Sequence, residues 1–129
     1  MNKIGKYEII RELGKGSTSA VYLALDPFSN QQVALKRFKL DELRDTAQAK
    51  AHRKLLLTEA SLVGRLSHPH IVKVFDAVMD GDVNYMVMEY VEGHTLERNT
   101  AADHLLPFGV VAEIVYKCCK ALEYANTRG

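Results

Sequence analysis

The sequence predicts an α+β fold: a five-stranded antiparallel sheet with one long helix, followed by a hinge segment and one or two C-terminal helices. Three observations predict it. Short apolar stretches with period-two alternation, bounded by turn residues, recur in the first ninety or so positions. Between them, from about Asp41 to Leu66, runs an alanine- and leucine-rich stretch with no glycine before Gly64, the composition of a helix. Near the C-terminus, Val111, Ile114, Val115, Cys118, Leu122 and Ala125 fall at i, i+3, i+4, i+7, i+11 and i+14, a single apolar stripe on a helix over 109–127.

Taken in order, "KYEIIREL" (6–13) has strand character, and so does "AVYLAL" (20–25), with Val21, Leu23 and Leu25 on one face. "DPFSNQQ" (26–32) is a turn by its Asp-Pro and Ser-Asn pairs, and "VALKRF" (33–38) is a third strand. After the helix, "HPHIVKVFDAVMDGDVNYMVMEYV" reads as a turn, a strand, a tight Asp-Gly-Asp hairpin at 80–82 and a fifth strand. "EGHTL" leads out of it towards the C-terminal helix.

Composition narrows the function classes. A chain of 129 residues with 47% hydrophobic and 26% charged residues is an ordinary globular domain. Its net charge of +1 supplies no long-range field to draw in nucleic acid or an acidic membrane surface. The opening "MNKIGKYEII" is not a signal peptide, and no run approaches the roughly 18 apolar residues of a spanning helix. Cys118 and Cys119 are adjacent and have no ligand partner at zinc spacing, so they read as reduced cysteines of a cytoplasmic protein. His68 and His70 around Pro69 lack a third ligand and read as a turn, so no metal site is expected.

Chemistry concentrates in "LGKGSTSAVYLAL" (13–25). A dinucleotide-binding glycine motif opens a helix, but here the glycines precede a strand. A Walker A loop needs a glycine five residues before Gly14, where Ile9 stands. Two strands joined by a glycine-bearing loop remain, either a plain hairpin or a lid whose backbone N–H groups cover a phosphate chain. Lys36 ends an apolar strand on the face of Ala34, and it either snorkels to solvent or needs an anion. Glu59 falls on one helical face with Leu55, Leu62 and Leu66, so it either pairs with a cation or marks the rim of the stripe. Lys36 and Glu59 would each account for the other.

As a set, the Gly-x-Gly loop, "VALK", the helix-borne glutamate of "TEASLVGRLSHPHIVKV" and "YMVMEYVEG" resemble the N-terminal lobe of a protein serine/threonine kinase of bacterial type, in the family's order and over nearly the whole chain. The resemblance implies a kinase N-lobe with its hinge over 1–91 and the start of the large lobe over 92–129. It implies that Gly14 and Gly16, with Lys15, Ser17, Thr18 and Ser19, cover the phosphates of ATP. Lys36 would contact the α- and β-phosphates, held by Glu59. Leu13, Val21, Ala34 and Val72 would sandwich the adenine, with Met88 behind it. The Glu89 carbonyl and Val91 amide would bond its edge, and Val63 and Val74 would belong to a hydrophobic column coupling the lobes.

Three departures qualify the resemblance. Ser19 stands where the family has a third glycine, and the span from Lys36 to Glu59 is longer than usual. The catalytic-loop pattern H-R-D-x-x-x-x-N and the metal-binding D-F-G do not occur in these 129 residues. The chain by itself is therefore expected not to transfer phosphate, and Mg2+ and a protein substrate would belong to the complete kinase. The competing readings are a stand-alone, kinase-derived regulatory or interaction module without catalysis, and a generic nucleotide-binding protein. A further expectation is self-association through the helix 109–127. A membrane anchor beyond Gly129 is left open by the sequence.

Overall fold

The computed structural model describes residues 2–38, 47–80 and 83–128, and the chain divides into two units: Met1–Arg65 with Lys73–Tyr90, and Leu66–Val72 with Val91–Gly129. The first unit is an antiparallel sheet with one helix. Its strands are β1 (Lys3–Ile4), β2 (Tyr7–Lys15), β3 (Ser19–Asp26), β4 (Gln31–Phe38), β5 (Val74–Asp80) and β6 (Val83–Glu89), in the spatial order β1-β2-β3-β4-β6-β5. The helix α1 (Ala47–Gly64) lies between β4 and β5 in sequence and packs on β5.

The sheet has six strands, one more than the alternation predicts. The extra strand is β1, two residues long and cut off from β2 by Gly5 and Lys6, so no pattern could form in it. It exists because Gly5 adopts φ +59°, the left-handed region, and folds Lys3 and Ile4 back beside Glu8 and Tyr7. The other strands match expectation: β2 starts one residue later and ends two later than expected, β3 gains one residue at each end, and β4 starts two residues earlier. Of the helix expected from about Asp41, residues 41–46 lie outside the described residues, as do Gly81 and Asp82 of the expected hairpin.

The β3–β4 turn follows from its sequence. The Phe28 N–H donates to Asp26 Oδ1 at 2.9 Å, and the Asn30 N–H donates to the Asp26 carbonyl at 2.8 Å. Asn30 takes φ 57°, which asparagine tolerates better than most residues. The Phe28 N–H also holds the Asp26 carboxyl below its ordinary range.

Alternation gives the sheet two faces. One carries the core: Tyr7, Ala24, Val33, Leu35, Tyr85 and Val87, with Ile4, Ile9, Tyr22 and Val78 packed against it. Tyr7 and Tyr85 meet edge to face with ring centroids 6.2 Å apart. They come from β2 and β6, which two strands separate, a gap of about 14 Å in a flat sheet. The sheet therefore curls until its two sides touch across the core. Burial and the nearby Asp76 carboxylate push the Tyr7 hydroxyl up to about 12, and the same causes raise that of Tyr85.

The second unit is built on α2 (Phe108–Thr127), preceded by a 3-10 turn, Leu96–Thr100. Pro107 caps the start of α2 through its carbonyl, which accepts the Val110 and Val111 N–H groups at 3.0 and 3.1 Å. Near the other end the Tyr124 hydroxyl accepts the Ser67 N–H at 3.0 Å, and the His68 ring lies 5.2 Å from the Tyr124 ring. These contacts seat the Leu66–Val72 segment against the helix. Among the described residues no helix is long and apolar enough to cross a membrane.

Candidate functional site

The glycine-bearing segment forms a hairpin between β2 and β3. The Gly16 N–H donates to the Ser19 carbonyl at 2.7 Å and closes it. Lys15 pairs with Ala20 and Gly14 with Val21, but the register shifts between Glu12 and Gly14. Leu13 occupies that irregularity, which re-aims a side chain at the mouth of the loop. Gly14 lies outside the left-handed region and has no neighbour within 4 Å of where a Cβ would stand; Gly16 meets only ordinary contacts, the nearest being the Ser19 carbonyl oxygen at 3.6 Å. Neither packing nor backbone conformation requires a glycine at Gly14.

Strand register assembles the rest. Val21 stands opposite Lys36, and Lys36 opposite Met86, so Gly14, Val21, Lys36 and Met86 form one row across four strands. The next row joins Leu23, Ala34, Met88 and Val74. Directly opposed residues of an antiparallel ladder share a face. Alternation along β4 sets Ala34 and Lys36 on the face opposite Val33 and Leu35, away from the core cluster. Within the first unit the register thus places Gly14, Val21, Ala34, Lys36 and Met88 on one side of the sheet, with Leu13 and the loop from Lys15 to Ser19 adjoining Gly14 in sequence. Glu89 ends β6 opposite Val33, and its N–H donates to the Lys73 carbonyl at 2.8 Å. Val72 and Val91 belong to the second unit, where both are exposed.

Lys36 is half-buried, and its ammonium lies 5.5 Å from the ring centroid of Phe38. The expected pair with Glu59 is not formed: among the described residues no ion pair joins them, and Glu59 is exposed. The reason is the phase of α1. The face turned inward carries Arg53, Leu56, Ala60 and Val63, with Ala60 buried. The stripe of Leu55, Glu59 and Leu62 faces outward, Leu55 being 58% and Leu62 49% exposed. Between α1 and β5 a hollow of about 370 Å3 is lined by residues that include Leu57, Ala60, Val74 and Phe75.

Two residues of this face escaped the sequence reading. Phe38 and Met86 flank Lys36, one along its own strand and one across the ladder. The signal for Phe38 was present, since Ala34, Lys36 and Phe38 continue a single period-two face. Among the described residues no group of three or more His, Cys, Asp or Glu side chains is disposed to hold a metal ion.

Comparison with known proteins agrees with this geometry. The family profile described as "Protein kinase domain" matches residues 7–129. The serine/threonine-protein kinase PknD of Chlamydia abortus (strain DSM 27085 / S26/3) is 37% identical over 134 residues, covering 95% of this chain and 14% of PknD. The serine/threonine-protein kinase PrkC of Bacillus subtilis (strain 168) is 34% identical over 122 residues, covering 95% of this chain and 18% of PrkC. The crystal structure of the M. tuberculosis PknI kinase domain superposes with a TM-score of 0.82 at 30% identity, covering 99% of this chain and 50% of that one. The chain therefore spans less than a fifth of the curated relatives' length and half of a solved kinase domain.

Proposed function

The chain belongs to the protein kinase domain family, and from that premise we propose that it is the ATP-binding part of a serine/threonine kinase that transfers the γ-phosphate of ATP to protein substrates. The observation that carries the proposal is the row Gly14–Val21–Lys36 on the sheet face away from the core, ending in the half-buried Lys36, which has no carboxylate partner among the described residues. A half-buried cation beside an open glycine hairpin suits an anionic group of several oxygens, and a phosphate chain is one.

In this reading Gly14, Lys15, Gly16, Ser17, Thr18 and Ser19 lie over the phosphates, and Lys36 binds the α- and β-phosphates. Leu13, Val21, Ala34 and Val72 enclose the adenine and Met88 backs it, while the Glu89 carbonyl and the Val91 N–H bond its edge. Glu59 takes its supporting role when α1 turns its outward stripe towards β4. Mg2+ supplies charge neutralisation at the phosphates in a complete kinase, and no residue described here is assigned to hold it. Without the H-R-D and D-F-G patterns, the 129-residue chain itself binds nucleotide and does not turn it over. Its exposed, unbridged Cys118 and Cys119 suit the cytoplasm.

Calorimetric titration with ATP tests the proposal. Binding weaker than micromolar is expected, reduced at least about tenfold by Lys36→Met, because a charge-assisted contact to phosphate is lost. Binding that is absent, or indifferent to Lys36→Met, overturns it. A second reading, a stand-alone interaction module, is favoured by one observation: the α2 stripe leaves Val111, Val115 and Leu122 exposed. This face suits association with a second copy of the chain, which is compatible with nucleotide binding.

A further inference from the structure

Resting on the nucleotide reading above and adding one residue to it, we infer that Phe38 is a positioning residue for phosphate recognition, holding the Lys36 ammonium in place and tying it to the glycine hairpin. Phe38 is the last residue of β4 and is 8% exposed. It lies two residues beyond Lys36, so both side chains rise from the same face. The ammonium is 5.5 Å from the ring centroid, inside the roughly 6 Å range over which the negative face of an aromatic ring attracts a cation.

A lysine stem has four rotatable bonds, and an unanchored ammonium samples many positions. Lys36 has no carboxylate within ion-pair distance among the described residues, so the ring is what restrains its charge there. Phe38 is buried, so its ring offers the ammonium a fixed contact. A cation already placed loses less side-chain entropy when an anion arrives.

Phe38 also reaches the other phosphate-binding part. Its backbone stands directly opposite Ser19 in the β3–β4 ladder. The Ser19 carbonyl accepts the Gly16 N–H at 2.7 Å, the bond that closes the hairpin. The buried ring that faces the lysine thus rises from the residue paired with the closing position of the hairpin. A purely structural Phe38 would stabilise the lobe without any dependence on the charge of Lys36, and this difference can be measured.

The test is a double-mutant cycle on ATP affinity with the 129-residue chain, using Phe38→Leu, Lys36→Met and both together. Phe38→Leu is expected to weaken ATP binding about threefold to tenfold. In the Lys36→Met background it should change nothing further, and Phe38→Tyr should restore the original affinity. Replacing Phe38 by a ring-fluorinated phenylalanine keeps the shape and removes the negative ring face, so it must also weaken binding even if Phe38→Leu fails to fold. An equal loss from Phe38→Leu with and without Lys36 overturns the inference, and so does a fluorinated ring that binds ATP as well as phenylalanine. If Lys36→Met weakens ATP while the Phe38 variants do not, Phe38 alone is misassigned. If Lys36→Met has no effect, the nucleotide reading falls and this inference with it.

Discussion

Gly5 and Gly14 stand near opposite ends of β2, and alanine at the two positions has opposite consequences. At Gly5 the backbone sits at φ +59°, and a Cβ would strike the Tyr85 hydroxyl in the core. Gly5→Ala is expected to destabilise the chain by roughly 2 kcal/mol or more, through left-handed strain and displacement of a buried ring. Chemical denaturation reads that loss directly. At Gly14 a Cβ would meet open space. Gly14→Ala should leave stability within about 1 kcal/mol while weakening ATP several-fold, because the methyl group stands where the ligand approaches. A Gly14→Ala protein that binds ATP normally would show that the hairpin is only a turn. Glu59 is exposed and unpaired with Lys36, so Glu59→Gln should shift the denaturation midpoint by less than about 0.5 kcal/mol in this chain.

Among the elements, the contact between β2 and β6 that closes the curled sheet has a pH signature. Tyr7 titrates near 12 in the folded chain because burial, then the Asp76 carboxylate, disfavour the phenolate. An unfolded tyrosine titrates near 10. The folded state thus binds this proton more tightly, and its contribution is complete below about pH 10 and is lost as pH rises towards 12. Tyr7→Phe should flatten that alkaline loss of stability, which urea midpoints between pH 9 and 11.5 would reveal. An unchanged slope would mean that the hydroxyl is not held in the closed sheet.

The same elements show what the sequence could and could not say. β2 to β6 were legible because each is a short apolar-rich run set off by turn residues or by the helix. β1 was not, since it depends on one left-handed glycine and a tyrosine eighty positions away. The phase of α1 was open in the sequence for a definite reason. Leu55, Leu56 and Leu57 are consecutive, so an apolar stripe can be drawn through Leu55, Glu59 and Leu62 or through Leu56, Ala60 and Val63. Packing on β5 selects the second. At the site, the pairing of Gly14 and Val21 with Lys36 follows from the β2–β3 and β3–β4 hairpins, whereas the β4–β6 pairing that brings Met86 and Met88 alongside is set across α1 and no turn in the sequence reveals it. The ring beside Lys36 depends on a rotamer that no spacing reveals.

For the molecule as a whole, the exposed α2 stripe predicts self-association of the isolated chain. Leaving Val111, Val115 and Leu122 in water forgoes roughly 1 to 2 kcal/mol each, and pairing of two helices recovers part of it. Sedimentation should show a dimer that Ile114→Glu converts to monomer. A monomeric parent chain, or a variant that dimerises equally well, removes the stripe as an interface.

We propose that ATP binds the sheet face opposite the core. Amide chemical-shift mapping during an ATP titration tests it most directly. The largest shifts are expected at Gly14, Gly16, Ser17, Ser19, Val21, Ala34, Lys36, Met88 and Glu89, with Tyr7, Leu35 and Val87 of the core face nearly still. Shifts centred on the core face or confined to α2, or no shifts at all, would contradict it.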